Sequence, residues 1–479
     1  MVTADYDNGH ISTKFAGVHT DGDTVTIDFG AYNPNRESWF NFKITGCKGK
    51  TVTFVEKDGG AGAEAMFHVV SYKPVTAAFD NVYEQTETPV KGVWKHTFRE
   101  DTAQVMFAYP ASNVMVDDYI GKIKENPSVE VRSLGQSTLF GLDIPLLLIT
   151  DKRVADAGKK VVFLLAREDS YEANGTLATL GAVRYLLSDD PMAKDIRKKC
   201  VYLVVPILSR DGAKIGATNW PLVKDNSDYR YFPPEWKENA KGFREIEALK
   251  AFFAAWKKDG KAIDEFHSVH CAPYAQCWFY FRPDPARPEA RPRLQAYFDS
   301  LRRHCFWHYT VNFYPPGEKY MFQWLQEQFP GVVGANVHVD SIFNPTKGRR
   351  PVDDLYEDGE LLVRASGEYF GVEIPKETPP LLFTSGASAN RCQKGDAVTF
   401  HTFYCDLLGR AASEVNLVMG GKAYPMQKVE NEKIREGAEY KCVVKIEAAM
   451  NDYYIEASNG VSRRRVPENG LQLGPYIAP

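Results

Sequence analysis

The sequence has no long block of basic residues: 58 Lys and Arg stand against 62 Asp and Glu, a formal net charge of −4. A nucleic-acid partner is therefore not expected, because phosphate recognition needs a concentrated basic footprint. No apolar run approaches the roughly 20 residues that a spanning helix needs, so no membrane span is expected either. The longest runs, Ile144-Pro145-Leu146-Leu147-Leu148-Ile149 and Val161-Val162-Phe163-Leu164-Leu165-Ala166, have the length of buried strands. The eight cysteines (Cys47, Cys200, Cys271, Cys277, Cys305, Cys392, Cys405, Cys442) form no Cys-x-x-Cys pair. Buried thiols are the expectation, and no disulfide framework is implied. The start, Met1-Val2-Thr3-Ala4-Asp5-Tyr6-Asp7, lacks a basic n-region and an apolar h-region. That leaves two alternatives open: a cytoplasmic protein, or a secreted or periplasmic one whose signal peptide has been removed. There are no internal repeats and no low-complexity linker.

With 479 residues, 44% hydrophobic and 25% charged, the chain has the composition of a soluble globular protein and the length of two or three domains. Residues 1–112 read as an antiparallel β-sandwich domain, with Val25-Thr26-Ile27-Asp28-Phe29 and Trp39-Phe40-Asn41-Phe42-Lys43-Ile44 alternating apolar and polar. Residues 113–412 alternate helices with short buried strands. Helices are expected over Asp117–Glu125, Asn174–Ser188 and Phe243–Lys257. Strands are expected over Pro145–Thr150, Val161–Ala166, Val201–Leu208 and Ala262–His267. This β-α-β-α order predicts an α/β/α domain around a mostly parallel mixed sheet, closed by a last helix over Gly395–Gly409. Residues 413–479 read as a small β domain, with strands near Tyr440–Ile446 and Tyr453–Ala457.

Open parallel sheets bind ligands beyond the carboxyl ends of their strands, so the segments that follow the buried runs carry the chemistry. They are, in order, Arg167-Glu168-Asp169-Ser170-Tyr171-Glu172-Ala173-Asn174; Ser209-Arg210-Asp211-Gly212; Ser227-Asp228-Tyr229-Arg230; and Asp264-Glu265-Phe266-His267-Ser268-Val269-His270. Ahead of them stand Trp39-Phe40-Asn41-Phe42, Phe107-Ala108-Tyr109-Pro110 and Leu134-Gly135-Gln136-Ser137. In this order and spacing the chain resembles the zinc metallocarboxypeptidases, most closely the cytosolic-carboxypeptidase-like branch, over about 400 residues. The resemblance implies a carboxypeptidase fold and a peptide or peptide-like ligand with a free carboxylate. It also implies a metal held by Asp169, Glu172 and His267, with Asp169 in place of the family's first histidine. Arg230, with Tyr229 where the family has asparagine, matches the clamp on the terminal carboxylate, a bidentate task suited to guanidinium. Asn219 stands near the family's carbonyl-polarising arginine. Ser385 occupies the place of the general-base glutamate on a strand over Pro379–Ser385, and a competing register offers Glu373 instead.

Two carboxylates and one imidazole cancel the charge of Zn²⁺, which weakens its Lewis acidity and also opens the site to manganese or another divalent ion. Two functions stay in contention: a divergent metallocarboxypeptidase, and a catalytically inert module that binds peptide or glycan ends. His304 and His308, at i and i+4, read as packing residues beside Phe306 and Trp307.

Overall fold

The architecture is that of a computed structural model, which describes residues 2–3, 17–28, 39–57, 67–79, 82–87, 89–216, 243–272, 278–281, 290–304, 310–313, 321–340, 343–344, 348–429, 434 and 437–477. Two small sheets form the amino-terminal unit. One orders Val2–Thr3, Asn41–Thr45, Thr102–Met106, Val69–Ser71 and Glu84–Gln85; the other orders Gly17–Asp21, Thr24–Asp28, Thr51–Lys57 and Val93–Thr97. Alternating apolar positions send Phe42 from the first sheet and Phe54 from the second into one core, with ring centroids 6.4 Å apart. Trp94 stacks on Phe54 at 3.9 Å. The pairing is antiparallel except between Thr24–Asp28 and Thr51–Lys57, which run parallel.

The central unit is an α/β/α layer structure around an eight-stranded mixed sheet. Across the sheet the strands lie in the order Val129–Gln136, Asp143–Ile149, Cys200–Val205, Lys160–Ala166, Glu265–Ala272, Val333–Asp340, Trp278–Phe281 and Thr310–Phe313. Its four middle strands are parallel. Lys160–Ala166 and Cys200–Val205, buried on both faces, are accordingly near-continuous in apolar residues. On one face Phe163 packs on Phe253 of the helix Arg244–Lys258, 4.9 Å apart, and on Phe266 of the neighbouring strand at 5.8 Å. On the other lie the helices Ala173–Leu186 and Val352–Tyr369, which cross so closely that glycine is required. A Cβ on Gly181 would come within 2.1 Å of the Tyr356 carbonyl oxygen, and one on Gly359 within 1.7 Å of that of Ala178.

Gly175, in the first turn of Ala173–Leu186, has the same constraint against the sheet: a Cβ would stand 2.2 Å from the Val269 carbonyl oxygen. Gly175→Ala is therefore expected to lower stability by about 2–3 kcal/mol, read as a drop in thermal midpoint. It should also push the loop before this helix off the strand Glu265–Ala272.

The expected helix over Gly395–Gly409 is instead the strand Ala397–Cys405. Burial alternates at a period of two from Ala397 to Thr402 and is continuous from there to Cys405, and the strand pairs with Leu381–Ala387 on one side and Ala438–Lys445 on the other. The carboxyl-terminal sheets thus gather residues from 381 onward, and a boundary at 412 would cut through paired strands. A second sheet orders Lys422–Pro425, Glu414–Met419, Tyr453–Ser458 and Arg463–Val466, and the two enclose a core of their own around Leu382, Phe400, Leu417 and Ile455. The last helix is Val352–Tyr369. The two terminal units also touch each other: the Tyr476 hydroxyl donates to the Thr97 carbonyl at 2.9 Å, and Arg99 donates to the Gly474 carbonyl at 2.9 Å. Among the described residues no helix is long and apolar enough to cross a membrane.

Candidate metal centre

The strand Lys160–Ala166 ends at Arg167, whose φ of 58° turns the chain sharply. That left-handed conformation costs a non-glycine residue roughly 1 kcal/mol or more, and the Arg167 side chain anchors it. Fully buried, it donates to the Ser170 carbonyl at 2.7 Å and to the Ala111 carbonyl. The loop is closed further by Ser209 N–H donating to the Arg167 carbonyl at 2.9 Å, and by the Ser170 and Ser209 hydroxyls 2.8 Å apart. It then enters the helix Ala173–Leu186 with Glu172 at its N-cap. Asp169 and Glu172 are thereby presented at the carboxyl edge of the parallel strands, 1% and 2% exposed.

The neighbouring strand Glu265–Ala272 supplies His270. Its Nδ1 lies 2.6 Å from Glu172 Oε2 and 3.8 Å from Asp169 Oδ2. One ligand atom from each of the three residues falls within 4.8 Å of the others. The opposite ring nitrogen, Nε2, lies 3.2 Å from Glu168 Oε2 and 2.8 Å from Ser268 Oγ. Burial works against a charged ring here, but the carboxylates of Glu172 and Glu168 outweigh it and hold the His270 pKa well above the ordinary imidazole value. Nδ1 and Glu172 Oε2 at 2.6 Å would set lone pair against lone pair without a cation between them, a proton or a metal ion. Two carboxylates and one imidazole are acceptable donors for a divalent ion, and a carboxylate behind the second ring nitrogen is the usual support of a metal-bound histidine. The donor set fits.

Several expected site residues lie elsewhere. His267 is not with Asp169 and Glu172: its Nε2 is 2.7 Å from Glu265 Oε1 and also contacts the Tyr297 hydroxyl, in a fully buried cluster. The reason is register. The strand read as Ala262–His267 runs Glu265–Ala272, so the histidine at its carboxyl end is His270, and residues three apart on a strand face opposite sides. Glu373 is exposed, in the turn after Val352–Tyr369. There the Gly371 carbonyl accepts from Lys199 Nζ at 2.5 Å, which puts that turn at the amino end of Cys200–Val205, roughly 20 Å along the strands from the centre. Ser385 is buried in the carboxyl-terminal sheet, its hydroxyl 2.8 Å from that of Thr402. Asn219, Tyr229 and Arg230 lie outside the described residues, as does His308. His304 meets Glu368.

The sequence reading missed His270, Glu168, Ser268 and His338. Reading the strand on through Ser268-Val269-His270-Cys271-Ala272 would have found His270 and Ser268. His338 ends up beside them because Val333–Asp340 pairs with Glu265–Ala272, placing His338 opposite His270. Their rings stack at 5.1 Å and 14°.

Residues 116–338 match the zinc carboxypeptidase family. Mouse cytosolic carboxypeptidase 3 is 25% identical over 148 residues, 29% of this chain and 15% of that protein. Human cytosolic carboxypeptidase 2 is 31% identical over 132 residues, 26% of this chain and 14% of that protein. The match thus spans less than a sixth of either relative's length. Among solved structures, a metallo-carboxypeptidase from Burkholderia cenocepacia superposes with a TM-score of 0.66 at 17% identity. That alignment covers 77% of this chain and 98% of the other. A metallo-carboxypeptidase from Pseudomonas aeruginosa, in complex with (2-guanidinoethylmercapto)succinic acid, gives 0.60 at 16%, covering 77% and 98%. At such identities the likeness establishes the fold.

Proposed function

The chain belongs to the zinc carboxypeptidase family through residues 116–338, and from that premise we propose that it is a metal-dependent hydrolase of the amide bond beside a free C-terminal carboxylate. The observation that carries this reading is the convergence of Asp169, Glu172 and His270 at the carboxyl edge of the sheet. These three residues hold one divalent ion, zinc or a harder ion such as manganese, which the two carboxylates favour. When bound, it supplies Lewis-acid polarisation of the scissile carbonyl.

The remaining work falls to the chain's own side chains. Arg230 anchors the substrate carboxylate, flanked by Tyr229, and Asn219 offers an amide toward the carbonyl. His338 is the proton acceptor. It lies on Val333–Asp340, the last strand of the eight-stranded sheet before the helix Val352–Tyr369, the place that corresponds to the family's general base, and beside His270. The test is release of free amino acid from paired peptides, one with a free carboxyl terminus and one amidated, using zinc- and manganese-loaded protein. Metal-dependent release from the free form, reduced about 100-fold or more in His338→Ala, is expected. Failure to cleave any free-carboxylate peptide would overturn the hydrolase reading.

A second reading, an inert module that binds peptide or glycan ends, is favoured by one observation: neither Glu373 nor Ser385 reaches the centre. It predicts binding of the same peptides without turnover.

A further inference from the structure

Glu168 belongs to none of the roles above, yet its side chain is buried against the centre. Ser268 and His270 alternate onto one face of their strand. The Ser268 hydroxyl donates to Glu168 Oε2, which is also 3.2 Å from His270 Nε2. Glu168 Oε1 is buried with no hydrogen-bond partner. A hydroxyl has one hydrogen. With that hydrogen given to Glu168, Ser268 Oγ offers Nε2 only lone pairs, and Glu168 Oε2, as the acceptor of that hydrogen bond, offers only lone pairs as well. Both neighbours of Nε2 are therefore acceptors, and Nε2 must carry the ring hydrogen.

We infer that Glu168 is a positioning residue: with Ser268 it fixes His270 as the Nε2–H form and aims the Nδ1 lone pair at the space between Asp169 and Glu172. This rests on the metal-site reading above and assigns a supporting carboxylate to it. Position 168 directly precedes Asp169, so one loop provides both a ligand and the group that orients the ligand from the next strand. The added negative charge makes the imidazole a stronger donor.

The experiment uses the full chain and its Glu168→Gln variant, isosteric but uncharged, with Ser268→Ala as a second probe. Cobalt(II) binding is followed by competition and by its visible absorption. The ring-nitrogen signals of ¹⁵N-histidine-labelled protein are recorded at fixed pH, metal-free and with zinc. Glu168→Gln is expected to weaken cobalt binding 10- to 100-fold, to alter the absorption bands and to shift the His270 Nε2 signal. Ser268→Ala should move the same signals less, and Glu168→Asp should restore part of the affinity. Cobalt affinity within twofold of the parent, with unchanged bands and ring signals, would overturn the inference. Should the parent take up no cobalt, the metal reading alone fails and the metal-free ring signals decide: a shift in Glu168→Gln keeps the positioning role, and no shift removes it.

Discussion

Loaded with zinc or manganese and then desalted, the protein is expected to retain close to one ion per chain. The Glu172→Ala/His270→Ala double variant is expected to retain none, with affinity lower by about 10³-fold or more. That figure follows from apparent binding energies of roughly 10–16 kcal/mol shared over about four ligands in structural zinc sites. The informative companion is His267→Ala. His267 is fully buried and hydrogen-bonded to Glu265 and Tyr297, so its removal should cost about 2–4 kcal/mol of stability. Stoichiometric metal should nonetheless remain, because His267 sits across the sheet from the centre. Elemental analysis on these proteins and on the single His270→Ala variant, each checked for folding by its thermal midpoint, separates the two histidines. Metal lost in His267→Ala but kept in His270→Ala would reverse the assignment and restore the motif register read from the sequence.

That contrast shows where the sequence was legible. The family's order of segments, strand then loop, identified the sheet and brought Asp169 and Glu172 together, because a short loop between a buried strand and a helix leaves few geometries. The third donor was harder. Asp264-Glu265-Phe266-His267 resembles the family's histidine-bearing segment, but which residue ends the strand depends on hydrogen bonding to its neighbours. Ala166 pairs with Val269 and Ala272 with Asp340, and neither pairing is written in the local pattern. The error over Gly395–Gly409 is of the same kind. Gly395-Asp396-Ala397-Val398-Thr399-Phe400 has apolar residues at spacings compatible with a helix. Its β-branched and aromatic content favours a strand once Leu381–Ala387 and Ala438–Lys445 lie on either side. Assigning it as the final helix then pulled the general-base position onto Ser385, when the last strand of the eight-stranded sheet before the helix Val352–Tyr369 is Val333–Asp340.

A large effect on stability, and one that depends on pH, is expected at the junction of the central and carboxyl-terminal units. Arg464, on the strand Arg463–Val466, donates to Glu357 Oε1 at 2.8 Å and to Glu360 Oε2 at 3.2 Å on the helix Val352–Tyr369. Arg464→Ala leaves the buried Glu357 without its cation, and such a loss typically costs 3–5 kcal/mol. About 3 kcal/mol is expected above pH 8, where Glu357 is ionised in the parent, because Arg464 keeps some solvent contact and Glu360 retains Arg364 at 2.9 Å. The pH dependence provides the sharper check. Burial pushes the Glu357 carboxyl up to about 8, against the opposing pull of Arg464 and with Asp354 and Glu360 adding to the rise. A carboxyl raised above its unfolded value of 4.5 stabilises the fold while protonated. That contribution is fully present below pH 4.5 and fades as the pH rises toward 8, at up to about 1.4 kcal/mol per pH unit. Above pH 8 the parent has ionised Glu357 against Arg464 and loses no more. In Arg464→Ala the carboxyl is raised further and the loss continues, so the gap between the two proteins should widen from pH 8 upward in chemical denaturation. A gap that is constant across pH 6–9 would mean that Glu357 stays protonated throughout in both proteins. It would place the cost of the substitution in packing of the arginine stem rather than in the stranded charge.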